Sequence, residues 1–417
     1  MNGEKAYRHL GKDSSALLAK TRLRWALAAM DIRPGIAAYS RYVEQFMPLE
    51  VSMGFDVQAE EPVIWRPGRE NNGIMLVTGA SGSGKTEALK TIIASIARHG
   101  IPVIAVDFHG DLAAPGLTDV LVSGGVYGQA GVNPLSLEPA GIARVGLCSK
   151  IDRELARINR AVGRLGYKQK ACLSLALTHA YWMRGITAED RSSWALAPPT
   201  LGEVSELLLA GIREGVEGFQ RNTLEACHQK VRVLAESPAF NHPNGLNVEV
   251  MKANNMRLDF STLSRPAQVL AAETVLEMVY EAERARGSIP VPCSSDAERF
   301  RLFLVVDEAK ILTLGRGDAS RADHIVNILA TEGRKFGIGL ILASQVADHF
   351  GDDVHAIRPT RLVMKNMGQR EAKRVAPTIG VPASLLEAEA EPGSAMLRSN
   401  SVGGLVELEM RMEAGEA

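Results

Sequence analysis

A glycine-rich segment limits the possible folds of this chain more than any other feature. Gly79-Ala80-Ser81-Gly82-Ser83-Gly84-Lys85-Thr86 follows the apolar run Ile74–Thr78 and precedes apolar residues at helical spacing up to Arg98. Such a turn between a buried strand and a helix lets backbone N–H groups surround a phosphate, next to the positive end of the helix dipole. We therefore predict that this segment, together with Glu87, binds nucleotide phosphates. A glycine-rich strand-to-helix turn without a ligand is the alternative.

A second polar site follows the apolar run Leu302–Val306, which ends in Asp307 and Glu308. In nucleotide hydrolases Lys85 would neutralise phosphate oxygens, the Thr86 hydroxyl would bind Mg²⁺, and an acid at a strand end would complete the metal site. We predict that Asp307 holds the metal through water and that Glu308 is the general base for the attacking water. Taken alone, the two acids could simply end a strand. With the glycine-rich segment they favour an ATPase, because the sequence has no guanine-specifying pattern.

The bulk composition excludes several classes of protein. The 417 residues are 46% hydrophobic and 23% charged, with a net charge of −1, so any affinity for nucleic acid must come from local patches. The four cysteines form no Cys-x-x-Cys pair, which favours reduced thiols and a cytoplasmic protein. No signal sequence is visible, and no run approaches the ~18 apolar residues that a membrane span requires.

Hydrophobic periodicity divides the chain into two parts. Residues 1–60 are predicted to form a helical N-terminal region, and residues 61–417 an α/β ATPase domain. Residues 141–250 lack strand signals and are predicted to be a helical insertion into that domain. Short buried strands are expected at 103–106, at 339–343 and at 361–364.

Four further segments give the chain a resemblance to the HerA/FtsK superfamily of ring-forming ATPases, and most closely to its HerA and VirB4 branch. The order and spacing fit over about residues 70–412. The resemblance implies a RecA-like fold with a mostly parallel sheet, ATP and Mg²⁺ as cofactors, and a homo-hexameric ring around duplex DNA. The four segments are Val106–Asp111, Asn133–Leu135, Glu332–Gly337 and Ile341–Gln345.

The resemblance also implies roles for three side chains beyond the phosphate site. Gln345 would be a sensor amide between the γ-phosphate and water, or else a polar cap on its strand. Arg334 would be an arginine finger that acts on the nucleotide of a neighbouring subunit, or else a partner of Glu332. Asp107 would orient water or the magnesium shell, and a structural hydrogen bond is an equal alternative.

The N-terminal region departs from the HerA pattern, which usually begins with a small β-barrel. Residues 20–41 faintly resemble DndE, a small helical protein of DNA phosphorothioation systems. This resemblance implies a DNA-modification or phage-defence complex. A helical arm for oligomerisation or docking is the alternative.

Two groups of basic residues are candidates for contact with DNA phosphates. Four arginines at spacings of 4, 3 and 4 would form one helical face, and three basic residues cluster near the N-terminus. A solvated helix face is the alternative for both groups. The candidates are Arg153, Arg157, Arg160 and Arg164, and Lys20, Arg22 and Arg24.

These features together predict an ATP-driven translocase or helicase for duplex DNA, which works with a partner nuclease or modification enzyme. Three other functions stay open. The first is a VirB4-like ATPase that powers conjugation or protein secretion, and the second is an ATP-dependent assembly scaffold. The third is a small-molecule kinase, against which the acid pair and Gln345 argue.

Overall fold

The computed structural model describes residues 48–122, 130–137, 146–291, 293, 296–313 and 324–410. The predictions for Lys20, Arg22, Arg24 and the DndE-like segment lie outside these residues.

The described part of the chain forms an 11-stranded sheet in the order β2-β1-β11-β10-β9-β3-β8-β7-β4-β6-β5. Strands β9 to β5 in this order are parallel, whereas β10, β11, β1 and β2 extend the sheet with antiparallel pairs. The mostly parallel RecA-like sheet is therefore confirmed. The strands are β1 (Val51–Asp56), β2 (Pro62–Trp65), β3 (Ile74–Thr78), β4 (Val103–Asp107), β5 (Thr118–Leu121), β6 (Met256–Asp259), β7 (Leu302–Val306), β8 (Ile338–Ser344), β9 (Thr360–Met364), β10 (Ser394–Ser399) and β11 (Gly404–Glu409).

The sheet begins before the predicted domain boundary at residue 61. Val51–Asp56 falls in the range predicted as helical, but it is a strand that pairs with β11. Its side chains follow a period of two at the start, since Val51 and Met53 are buried and Ser52 is exposed. This alternation is the signal that the helical interpretation overlooked.

Helices cover both faces of the parallel strands. Ile74 and Leu76 of β3 point into a large core beneath the later helices, while Met75 and Val77 point into a second core beneath α1. The central strands are apolar on both faces for this reason. The helices are α1 (Lys85–Arg98), α2 (Leu147–Ala161), α3 (Tyr167–Met183), α4 (Leu201–Glu214), α5 (Arg221–Ala235), α6 (Val248–Ala253), α7 (Arg265–Arg286), α8 (Asp296–Arg299), α9 (Lys310–Thr313), α10 (Ile325–Glu332), α11 (Asp352–Ala356), α12 (Gln369–Ile379) and α13 (Ala383–Glu387).

Helices α2 to α6 lie between β5 and β6, within and just beyond the predicted insertion. A capping box starts α4, where Thr200 accepts from the N–H of Glu203 and the Glu203 carboxylate accepts from the N–H of Thr200. Among the described residues, no helix has both the length and the apolar character that a membrane crossing needs.

Candidate nucleotide-binding site

The glycine-rich segment forms a tight loop between β3 and α1. Gly82 and Gly84 have φ angles of 79° and 90°, in the left-handed region that favours glycine. A Cβ atom at Gly84 would lie 2.7 Å from the backbone nitrogen of Gly393, and the Gly393 N–H donates to Ser83 O at 3.0 Å. On the other side, the Gly79 N–H donates to Ser344 O at the end of β8. The loop is thus fixed by backbone contacts that leave no room for a side chain at Gly84.

The first turn of α1 is suited to an anion. Its N-terminal residue, Lys85, is buried, while Ser81 and Gly82 of the loop are exposed. No side chain within the described ranges caps this turn, so the predicted phosphate site is not blocked by a protein group. The Glu87 carboxylate pairs with Lys90 at 2.8 Å along the helix, so its backbone N–H is the group that would serve a phosphate. Its place in the nucleotide site stays a prediction.

The predicted metal acid, Asp307, follows β7, which is two strands away from β3 in the sheet. Asp307 is 4% exposed. Burial raises the pKa of its carboxyl to about 6, and the charges of Asp111 and Glu308 add to this rise while the ammonium group of Lys85 opposes it. The structure therefore brings Lys85 and Asp307 into electrostatic contact across more than two hundred residues of sequence. Asp111 was missed as a site residue, although it ends the segment Val106–Asp111 that the resemblance singled out.

Glu308 is held in an unusual backbone conformation beside Asp307. Its φ angle of 55° is strained for a residue other than glycine, and such strain is typical of functional sites. Its N–H donates to Asp307 Oδ1 at 2.9 Å, and its Oε2 accepts from Gln345 Nε2 at 3.0 Å. Lys310 Nζ lies 3.1 Å from Glu308 Oε1. The structure thus joins the predicted base to the predicted sensor amide.

Arg265, a basic residue that the sequence analysis missed, also interacts with Glu308. Arg265 begins α7, and its positive charge interacts with Glu308. Burial nonetheless lowers the pKa of Arg265 below its ordinary value. No local pattern indicates Arg265, because its approach to Glu308 depends on the packing of α7 under β7.

The site residues fit a magnesium nucleotide. The loop offers backbone donors for phosphate oxygens, and Thr86 and Asp307 offer a hydroxyl and a carboxylate oxygen, which are ligands that Mg²⁺ prefers. A side chain at Gly79 would also collide with the loop, since its Cβ would lie 2.6 Å from Ser83 Oγ. The loop would therefore contact a phosphate through its backbone atoms at this position.

The role predicted for Asp107 is corrected. Its buried carboxylate accepts from the N–H groups of His109, Gly110 and Leu112 at 2.8–3.0 Å, and from Arg257 Nη1 at 2.9 Å. These bonds organise the turn after β4, so the side chain is fully used in structure. The alternative of a structural strand-end acid is the one observed.

Arg334 lies at the opposite edge of the sheet from Lys85. It is exposed, and its Nη1 donates to the carbonyl oxygen of Asn71, just before β3 begins. Glu332 does not pair with it but accepts from the hydroxyl of Tyr280 at 2.9 Å. From this position Arg334 cannot reach the phosphate site of its own chain, so a role as arginine finger stays a prediction for a neighbouring copy.

The predicted DNA-binding face of α2 is also corrected. Arg157 is 2% exposed and pairs with Glu154 and with Glu277, the latter at 2.9 Å. Arg153 Nη1 lies 3.1 Å from Glu277 and 2.7 Å from Glu281. Arg157 is thus buried against α7, and Arg153 pairs with the same helix from a partly exposed position.

The same pairing continues one turn further along α2. Arg160 binds Glu273 at 2.6 Å, and His324 Nε2 lies 3.4 Å from the same carboxylate. His324 and Arg160 hold the pKa of Glu273 below its ordinary value, although burial acts in the other direction. Arg164 comes after the end of α2 at Ala161 and is exposed, so it does not share this network.

The comparisons with known proteins agree with this geometry. Residues 56–123 match the family model described as Helicase HerA-like C-terminal. The predicted resemblance to the HerA/FtsK superfamily is confirmed. The HerA-like region contains the phosphate loop and Asp107, whereas Asp307, Glu308 and Gln345 lie beyond it. Comparison with curated protein sequences gives no match.

Solved structures share the fold over most of the chain. VirB4 of Thermoanaerobacter pseudethanolicus is 18% identical with a TM-score of 0.68, and the match covers 87% of this chain and 96% of that one. The plasmid coupling protein TrwB in complex with the ATP analogue ADPNP is 14% identical with a TM-score of 0.59, over 87% and 90% of the two chains. TrwB in complex with ADP and Mg²⁺ is 14% identical with a TM-score of 0.57, over 87% and 89%. At these identities the likeness shows a P-loop ATPase fold.

Proposed function

We propose that this protein hydrolyses ATP and uses the energy to move duplex DNA. The observation that carries the proposal is the convergence of the phosphate loop and the acid pair at the end of β8, where Gly79 donates to Ser344 and the next residue, Gln345, donates to Glu308. The complexes of TrwB with ADPNP and with ADP and Mg²⁺ support the choice of ATP and Mg²⁺.

Each side chain of the site has a separate role in hydrolysis. Lys85 and the loop N–H groups would hold the phosphates, the Thr86 hydroxyl would bind Mg²⁺, and the Asp307 carboxylate would hold it through water. The metal ion would supply positive charge to offset the phosphate oxygens. Glu308 accepts the proton of the attacking water, and Gln345 positions that carboxylate through its amide.

Arg334 completes the site only when a second copy of the chain is present. A guanidinium of a neighbouring subunit stabilises the charge that spreads over the transferred phosphoryl group. This requirement supports a ring, and we propose a homo-hexamer that encloses DNA, in the cytoplasm, with a partner nuclease or modification protein of an antiviral defence complex. The HerA-like helicase region is the support for DNA as the substrate.

A VirB4-like ATPase that powers conjugation or secretion is a second candidate, because VirB4 gives the higher TM-score. The two candidates differ in their response to DNA. A DNA translocase accelerates ATP hydrolysis when duplex is added, whereas a secretion ATPase has no reason to do so.

One experiment tests class and substrate together. The ATPase rate and the oligomer mass are measured with and without duplex DNA for the wild type, Lys85→Ala and Glu308→Gln. We expect duplex DNA to stimulate the ATPase rate of the wild type. Both substitutions should reduce this rate by about 10²-fold or more, and Glu308→Gln should do so with ATP still bound. A wild-type rate that duplex does not change would refute the DNA-moving function. An assembly scaffold would keep its partner-binding activity in Glu308→Gln.

A further inference from the structure

Two arginines stand directly opposite each other on the antiparallel strands β9 and β10. Arg361 is the register partner of Arg398, so both side chains project from the same face of the sheet. That face is the one on which Val363 and Met396 pack against α12. Like charges at directly opposed positions destabilise a strand pair.

Neither arginine is neutralised by an acid in the described part of the chain. Arg361 Nη2 lies 3.0 Å from His355 Nδ1, and Arg398 Nη1 donates to the carbonyl oxygen of Ile379 at 2.7 Å. Across the described ranges, neither guanidinium forms an ion pair with a carboxylate. Burial lowers the pKa of Arg361, and the charge of Arg398 lowers it further. The two guanidinium groups are held by hydrogen bonds to His355 and to the last carbonyl of α12, but no carboxylate of the described residues offsets their mutual repulsion.

The pair is open to solvent. Arg398 is exposed and Arg361 is half-buried. The cations that α12 exposes, Arg370 and Lys373, lie in its first turns, whereas Arg398 meets its last residue, Ile379. The site therefore consists of two guanidinium groups, which suit the oxygens of a phosphate group.

We propose that Arg361 and Arg398 together bind phosphate groups of the duplex DNA backbone. The proposal rests on the proposed function and gives that function a contact surface. Guanidinium groups form paired hydrogen bonds with phosphate oxygens. Phosphate contacts carry no sequence information, which suits an enzyme that must move along any sequence.

The test measures the affinity of a fluorescein-labelled duplex of mixed sequence as a function of salt concentration. Arg398→Gln is compared with Arg221→Gln, which removes the same charge from an exposed arginine on α5. We expect Arg398→Gln to weaken binding about 3- to 10-fold on every sequence and to reduce the salt slope by about 1. Arg221→Gln should leave both quantities unchanged.

A second variant separates loss of binding from loss of structure. Arg398→Lys keeps the charge but loses the planar fork, so its affinity should lie between the wild type and Arg398→Gln. If Arg398→Gln and Arg398→Lys both bind the duplex with the wild-type affinity and salt slope, the inference is wrong. It is also wrong if Arg398→Gln changes only the oligomer mass. Failure of the proposed function is distinct, since the wild type itself would then show no DNA-stimulated ATPase.

Discussion

The arginines of α2 and the arginine pair of β9 and β10 have the same chemistry in opposite surroundings. Arg153, Arg157 and Arg160 look like a DNA-binding face in the sequence, yet α7 supplies a carboxylate to each of them. Arg361 and Arg398 form no pattern in the sequence, yet the strand register places them together without an acid. The difference teaches that the partner of an arginine, and not its spacing, decides whether its charge is available to a ligand.

The largest effect should come from removing the most buried member of the α2 network. Arg157→Met keeps the approximate length of the side chain but leaves Glu154 and Glu277 without their central cation. We expect a loss of about 3 kcal/mol in the free energy of unfolding, because the two carboxylates lose a buried cation and keep only Lys150 and Arg153 as partners. Urea denaturation measures it, with Arg221→Gln as the exposed control. If Arg157→Met lowers the free energy of unfolding less than Arg221→Gln does, the network contributes nothing to stability.

A smaller effect should follow removal of a buried acid on α7. Glu273→Gln loses the ionic bond to Arg160, and we expect a loss of about 1.5–3 kcal/mol at neutral pH. The pKa of Glu273 is lower in the folded protein, so its contribution is present above the unfolded pKa of about 4.3 and disappears as the pH falls through the folded value. Stability curves of wild type and variant should therefore approach each other as the pH falls below about 4.3 and meet below the folded pKa. Parallel curves over the whole acid range would contradict this account.

The smallest effect should come from the partly exposed arginine of α2. The side chain of Arg153 is 38% exposed, so solvent screens its ion pairs, and Arg153→Gln should cost less than about 1 kcal/mol. Its effect on DNA is the direct counterpart of Arg398→Gln. We expect an unchanged salt slope in the duplex titration, since Arg153 already has two acidic partners. A slope reduced by Arg153→Gln and not by Arg398→Gln would reverse the comparison.

The parts of the fold that depend on local patterns could be predicted from the sequence. The strand at Ile74–Thr78, the phosphate loop and the strand before Asp307 each carry their signal within a few residues. Glu273, Glu277 and Glu281 recur at intervals of four and match the arginines of α2, but they lie over a hundred residues away. Nothing in one sequence says that the two helices meet.

The same limit explains the errors in the candidate site. Asp107 ends a strand as Asp307 does, and only the turn that folds back over it decides that its carboxylate is used internally. The strand Val51–Asp56 was missed because its short alternation was overlooked, although one of its partners, β2, is close in sequence and the other, β11, lies at the far end of the chain. Local chemistry identifies the groups, whereas tertiary contacts assign their roles.

The contact between Gly393 and Ser83 gives the last hairpin of the sheet an influence on catalysis. Because it joins two main-chain groups, no exchange of side chains can erase it. Shortening the protein before residue 393 would release the loop that cradles the phosphates from one of its two anchors. Such a truncation would also remove β10 and β11, so it would disturb the phosphate loop and the sheet together, although each catalytic side chain had been left untouched.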